Sequence, residues 1–245
     1  LPMFLLYTVD VKKLPKCICK PANNGSKIKR LPRLMAITDG SLYGKDLLEC
    51  IEAVLAGGMD TLQLREKLLT TADLFRLARQ VLPICRRYGA LLLINGRADV
   101  SLAVGADGVH LGGDALSPSE VRRLAGRDFL IGFSAHACEE LLHNSEADYA
   151  TISPVYPTLC KPGAGGLGLP ELARVCMRSS LPLLALGGIS SERLPEVAAA
   201  GAVGAAFMSA LFQADDPQAA AGKIKDAWIE AVKPGNIAID RGSPL

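Results

Sequence analysis

The chain has 245 residues, 49% hydrophobic, 21% charged and 5% aromatic, with a formal net charge of +2. That is enough apolar chain for one large core, and near-neutrality without a basic stripe argues against a nucleic-acid binder, as scarce aromatics argue against base stacking. No apolar run approaches the ~18 residues of a membrane span.

Residues 1–33 carry eight Lys or Arg against one Asp and include "KPANNGSKIK". They are expected to form a basic, poorly ordered N-terminal extension outside the fold. The opening "LPMFLLYTV" is short, its charges follow rather than precede it, and no small-residue cleavage site appears, so it is not read as a signal peptide. The tail 233–245, "KPGNIAIDRGSPL", is punctuated by glycine and proline and is expected to be loose.

Between these ends, residues 34–232 repeat one unit: a short apolar run, a polar or glycine turn, then an amphipathic helix. The expected strands are 34–39 (LMAITD), 61–66 (TLQLRE), 91–95 (LLLIN), 108–112 (GVHLG), 130–136 (LIGFSAH), 149–155 (YATISPV), 183–189 (LLALGGI) and 203–209 (VGAAFMS). Short apolar runs bounded by turns suit a parallel sheet buried on both faces. Helices are expected in "KDLLECIEAVLAGG", "TADLFRLARQVLPICRRYG" and "LSPSEVRRLAG", with Thr71 and Ser117 as N-caps, Pro118 in a first turn, and stops at Gly57, Gly89, Gly105, Gly126 and Gly201. Eight such units predict a single-domain α/β fold, a closed (β/α)8 TIM barrel. An open doubly wound sheet would want a glycine-rich loop after the first strand, which "ITDGSLYGKD" does not supply.

The seven cysteines, at 17, 19, 50, 85, 138, 160 and 176, have neither disulfide nor zinc spacing. They read as reduced thiols, and the expected location is cytoplasmic.

Barrel sites sit at the C-terminal ends of the strands. Reading off those ends gives a polar rim that includes Asp39, Gln63, Arg65, Lys67, Asn95, His110, Asp114, Ser134, His136, Thr158 and Lys161. Its cations and hydrogen-bonding groups suit an anionic substrate. Gly187 and Gly188 after the seventh strand, with Met208 and Ser209 after the eighth, are expected to hold phosphate, because glycine lets backbone N–H groups approach an oxyanion. The loop "SPVYPTLCKPGAGGLGLPE" is long for its place and reads as a segment that wraps a ligand, with Lys161 over the anion.

Five runs in order, "QLREK" (63–67), "INGRADVSLAVGADGVHLGGD" (94–114), "IGFSAH" (131–136), "SPVYPTLCK" (153–161) and "LALGGI" (184–189), resemble the thiamine phosphate synthase/TenI family over residues 34–230. The resemblance implies one of two activities. Synthases couple a pyrimidine diphosphate to a thiazole phosphate with Mg²⁺; TenI-type members isomerise a thiazole phosphate carboxylate to its aromatic tautomer. Synthases carry aspartates after the third and fourth strands, where this chain has Gly96 and Ala115; Asp114 comes one residue early. Neither Gly96 nor Ala115 offers a side-chain oxygen to a hard cation.

The expected function is therefore TenI-like: a thiazole tautomerase, an isomerase of thiamine biosynthesis, working without a metal or other cofactor. Proton transfer near neutral pH suits histidine. Of the three histidines, His143 falls on a surface helix pattern and His110 lies mid-strand as a packed residue. His136 ends the fifth strand, and the resemblance marks it as the proton carrier, the catalytic residue. Gln63, Arg65, Lys67, Asn95, Ser134, Thr158 and Lys161 are the expected substrate contacts. One alternative is a synthase in which Asp114 recovers Mg²⁺; another is a non-catalytic regulatory protein that binds thiazole phosphate. The expected partner is a thiazole phosphate small molecule, with no nucleic acid and no membrane, and the resemblance also suggests a homo-oligomer.

Overall fold

In the computed structural model, residues 29–40, 46–142, 146–158 and 165–233 are described. Eight parallel strands, β1 (Leu34–Ile37), β2 (Thr61–Leu64), β3 (Leu91–Asn95), β4 (Gly108–Leu111), β5 (Leu130–Ala135), β6 (Tyr149–Ile152), β7 (Leu183–Leu186) and β8 (Gly204–Phe207), pair in chain order. β8 pairs back onto β1, so the sheet closes. The expected (β/α)8 barrel is the fold.

Successive strand residues point to opposite faces, and here both faces are dry. Met35, Ile37, Leu93, Leu130, Tyr149, Leu184 and Ala206 fill the barrel's interior. Ala36, Leu62, Leu92, Ile94, Val109 and Ile131 pack outward beneath the helices.

Those helices are α1 (Leu47–Ala56), α2 (Thr71–Arg87), α3 (Ala98–Val104), α4 (Pro118–Ala125), α5 (Cys138–Leu142), α6 (Gly168–Arg178), α7 (Leu194–Ala199), α8 (Ser209–Phe212) and α9 (Pro217–Ala231). Ser117 caps α4 in a reciprocal box with Glu120, and Pro118 opens the helix. α2 is capped by Thr70 rather than Thr71: Thr70 keeps an extended backbone and accepts from the Asp73 N–H, while Thr71 is already helical. Gly57, Gly105 and Gly126 end α1, α3 and α4. None of the helices among the described residues is long and apolar enough to cross a membrane.

An aspartate precedes three even strands and seals the barrel's floor. Asp60 accepts from the N–H groups of Arg33 and Leu34, Asp107 from Leu92 at 2.8 Å, and Asp148 from Ile131 at 2.8 Å. Each carboxylate thereby satisfies an N–H at the entry of a neighbouring strand. Of the extension expected over 1–33, residues 29–33 are described. Lys29 pairs with Asp148 at 2.7 Å and Arg30 donates to the Gly89 carbonyl, which ties this stretch to the floor. The rest of the extension, and the tail beyond 233, lie outside the described residues.

Cys50, Cys85 and Cys138 are buried free thiols and Cys176 is half-buried. Burial pushes the Cys85 thiol up to about 12, with the Asp107 charge adding to it, and pushes Cys176 up to about 11. Cys17, Cys19 and Cys160 fall outside the described residues.

Candidate active site

A cavity of about 810 Å³ opens where the strands end. Gln63, Arg65 and Lys67 enter it from β2 and its following loop, and Asn95 from β3. Ser134 reaches it from β5, His136 from just beyond that strand, Thr158 from the loop after β6, and Met208 and Ser209 from beyond β8. Residues far apart in the chain meet because parallel strands all deliver their C-terminal ends to the same mouth. Lys161 and His143 lie outside the described residues.

The cavity's floor is polar and ordered. Gln63 Nε2 donates to Asn95 Oδ1 at 2.8 Å. Gln63 is 2% exposed, and its Oε1 is the buried side-chain oxygen without a hydrogen-bond partner among the described residues. His110 also lines the cavity; its Nδ1 is 2.9 Å from the Tyr149 hydroxyl and its Nε2 is 3.0 Å from Ser134 Oγ. Burial pulls the His110 pKa down to about 4, so the ring is neutral at pH 7.

The rim is less cationic than expected. β1 and β2 are neighbours, which puts Asp39 beside Arg65 in an ion pair. Arg65 is fixed further by its backbone N–H, which donates to Thr38 Oγ1 at 2.8 Å. Asp114 lines the same mouth as Lys67, so charges of both signs share it. Among the described residues no three His, Cys, Asp or Glu side chains gather as metal ligands.

A second cleft, of about 150 Å³, adjoins the cavity and is walled by Gly187, Gly188, Met208, Ser209, Ser153 and Thr158. Gly187 and Gly188 have φ of +99° and +64°, and a Cβ on either would meet the loop after β6 below 3 Å, at Pro154 and at Tyr156 or Pro157. The two glycines are therefore required by conformation and by packing alike. Behind them Arg193 donates to the Gly188 carbonyl and stacks 4.2 Å over the Tyr156 ring, whose hydroxyl bonds Glu196.

His136 stands at the rim with its side chain half exposed. Its backbone N–H donates to Glu140 Oε2 at 3.0 Å, and its Nδ1 is 3.8 Å from the same oxygen. His110, which lines the cavity, and Tyr149, buried behind it, are the residues that sequence reasoning undervalued. Gly132 was the available signal: a glycine inside a strand marks a place where another group comes close.

Eight parallel strands with a polar cavity at their C-terminal mouth define a (β/α)8-barrel protein with a candidate site at that end. The thiamine monophosphate synthase (TMP-TENI) family model matches residues 34–211, and the chain belongs to that family. The thiamine-phosphate synthase of Thermobifida fusca is 40% identical to it over 203 residues, 81% of this chain and 93% of that one. The thiamine-phosphate synthase of Methanospirillum hungatei is 40% identical over 202 residues, 81% and 98%. Among solved structures, the thiamine phosphate pyrophosphorylase from Pyrococcus furiosus superposes with a TM-score of 0.75 at 31% identity, covering 82% of this chain and 96% of that one.

These relatives overturn the expected isomerase. At 40% identity over four-fifths of the chain they bear the name of the synthase, not of a tautomerase. The role of His136 as proton carrier of an isomerisation falls with it. Two missing aspartates are a local difference, whereas the likeness spans four-fifths of the chain.

Proposed function

We propose that the protein is a thiamine-phosphate synthase, a transferase of thiamine biosynthesis that joins a phosphorylated thiazole to a pyrimidine bearing a diphosphate and releases pyrophosphate. The observation that carries this reading is the two-compartment site: a polar cavity of about 810 Å³ continuous with a glycine-walled cleft of about 150 Å³. Two substrates need two adjacent compartments, and likeness to chains named thiamine-phosphate synthase supplies the chemistry.

In this reading the thiazole's phosphate lies in the cleft, against the backbone of Gly187, Gly188, Met208 and Ser209, with Thr158 from the loop after β6. Gln63, Asn95 and Ser134 orient the pyrimidine. Arg65 and Lys67 face its diphosphate, and His136 closes the rim. A bond forms from the thiazole nitrogen to the carbon that carried the diphosphate. The carbon–oxygen bond breaks as it forms, and its electron pair leaves with pyrophosphate. Holding both reactants in line is the protein's main contribution, since positioning alone can supply ~7–11 kcal/mol of a barrier.

Mg²⁺, when bound to such an enzyme, neutralises the departing diphosphate. The side chains here do not fit a cage of two carboxylates. Gly96 and Ala115 carry no oxygen on their side chains, and Asp39 is paired with Arg65. The loop segments 41–45 and 159–164 contain no Asp or Glu. Asp114 is the other acidic residue at the cavity.

The test is to supply both substrates with and without Mg²⁺ and to look for thiamine phosphate and pyrophosphate. Formation of both products is expected. Binding of thiazole phosphate without any product in either condition would replace this reading with that of a binding protein.

A further inference from the structure

His110, Gly132 and Tyr149 lie side by side on β4, β5 and β6: His110 pairs with Gly132, and Gly132 with Tyr149. A Cβ on Gly132 would sit 2.1 Å from Tyr149 Cζ and 2.4 Å from its hydroxyl oxygen. The missing side chain is therefore what lets the tyrosine lie across β5 and reach His110 Nδ1 at 2.9 Å. One layer higher, His110 Nε2 is 3.0 Å from Ser134 Oγ and 3.4 Å from Thr151 Oγ1. Tyr149, His110 and Thr151 are buried, while Ser134 lines the cavity. This is a polar chain that starts in the barrel core and ends at the cavity.

Counting protons gives the chain a direction. Tyr149 has one hydroxyl hydrogen, and burial raises its pKa well above the ordinary value, so it stays protonated. Among the described residues its hydrogen-bonding partner is His110 Nδ1. A buried donor left unmade is costly, so the hydroxyl donates to Nδ1. A neutral imidazole carries one N–H, which is then on Nε2. That N–H donates to Ser134 Oγ, the nearer of its two oxygens. Ser134, having accepted, turns its own hydrogen toward the cavity.

We propose that Tyr149 is a positioning residue: it holds His110 in the Nε2–H tautomer and thereby makes Ser134 a hydrogen-bond donor toward an acceptor atom of the ligand. The ligand half of this inference rests on the proposed coupling reaction; the tautomer half stands without it. With the opposite tautomer Ser134 would present a lone pair, and the same pocket would select an N–H group instead.

Nitrogen NMR of protein labelled at histidine, with His110 assigned by comparison with His110→Gln, reads the tautomer directly. Nδ1 is expected in the unprotonated range and Nε2 in the protonated range, with Tyr149→Phe shifting population toward Nδ1–H. In the coupling assay, Tyr149→Phe and Ser134→Ala should each lower kcat/KM roughly tenfold, the worth of one hydrogen bond. The double variant should be no worse than Ser134→Ala, because Tyr149 acts through Ser134. A wild-type spectrum with Nδ1 protonated, an unmoved tautomer in Tyr149→Phe, or additive losses would overturn the proposal. Should Tyr149→Phe fail to fold, the wild-type spectrum decides alone. Absence of any coupling by the wild type counts against the synthase reading, and the spectrum still judges this one.

Discussion

Gln63 and Asn95, on adjacent strands, share one hydrogen bond of 2.8 Å that leaves the Gln63 Oε1 atom buried without a partner among the described residues. A native core seldom keeps such an atom unless something arrives to satisfy it. Gln63 lines the cavity, so a ligand N–H or O–H bound there is expected to satisfy this oxygen. Gln63→Met keeps the volume and removes the orphan acceptor together with the donor to Asn95. Its unfolding free energy in urea is expected to change by less than ~1 kcal/mol, while kcat/KM for coupling falls about tenfold or more. A loss of stability with unchanged kinetics would make Gln63 a purely structural residue.

Gly132→Ala tests the packing that brings Tyr149 to His110. The added methyl would have to displace a fully buried ring in the barrel interior, since its nearest atom lies at 2.1 Å. Overpacking of this kind costs ~1–3 kcal/mol. Thermal denaturation should show a lowered midpoint, and combining Gly132→Ala with Tyr149→Phe should recover little of it, because the phenyl ring remains.

The buried imidazole of His110 gives stability a pH dependence of definite sign. Its folded pKa is about 4, against an ordinary 6.5, because burial disfavours the charged ring. The unfolded chain takes up a proton first as pH falls, so stability from this group is present above 6.5 and is lost between 6.5 and about 4. The full swing is on the order of 3 kcal/mol. Urea midpoints measured from pH 4.5 to 7.5 should slope upward in the wild type, and His110→Gln should flatten that part of the curve.

Gly188→Ala probes the cleft. The residue has a φ of +64°, and its Cβ would meet Tyr156 Cβ at 2.8 Å and the Pro157 carbonyl at 2.9 Å. Backbone strain of about 1–3 kcal/mol should appear in denaturation. Affinity for thiazole phosphate, by calorimetry, should fall at least tenfold. Ordinary affinity would place the phosphate elsewhere.

The barrel was legible in the sequence because its cause is local. A run such as "LLLI" (91–94) is apolar throughout, since a parallel strand is covered on both faces, and glycines after the helices announce the turns. Element ends were less legible. β1 was expected through Asp39 but stops at Ile37, because beyond it the chain leaves the ladder to form the site. The cap of α2 was displaced by one residue because Thr70 and Thr71 are equally good cap formers by type, and backbone angle chooses between them.

The candidate site was legible as a set and illegible as a network. Gln63, Arg65, Lys67, Asn95, Ser134, His136 and Thr158 do share one cavity. The pairing of Arg65 with Asp39 was one of several choices in the sequence, and the Tyr149–His110 contact, 39 residues apart, was not visible at all. Nor did the two absent aspartates decide the activity, since a missing ligand says what one position does not do and the rest of the chain says what the protein is like.

Sequence alone determined the fold, its direction and the end that bears the site, because alternation of apolar runs and turns acts over a few residues at a time. Only the closed barrel decided which side chains touch. Register between strands is set by packing around the whole ring, and it is this register that lines up His110, Gly132 and Tyr149 beneath Ser134.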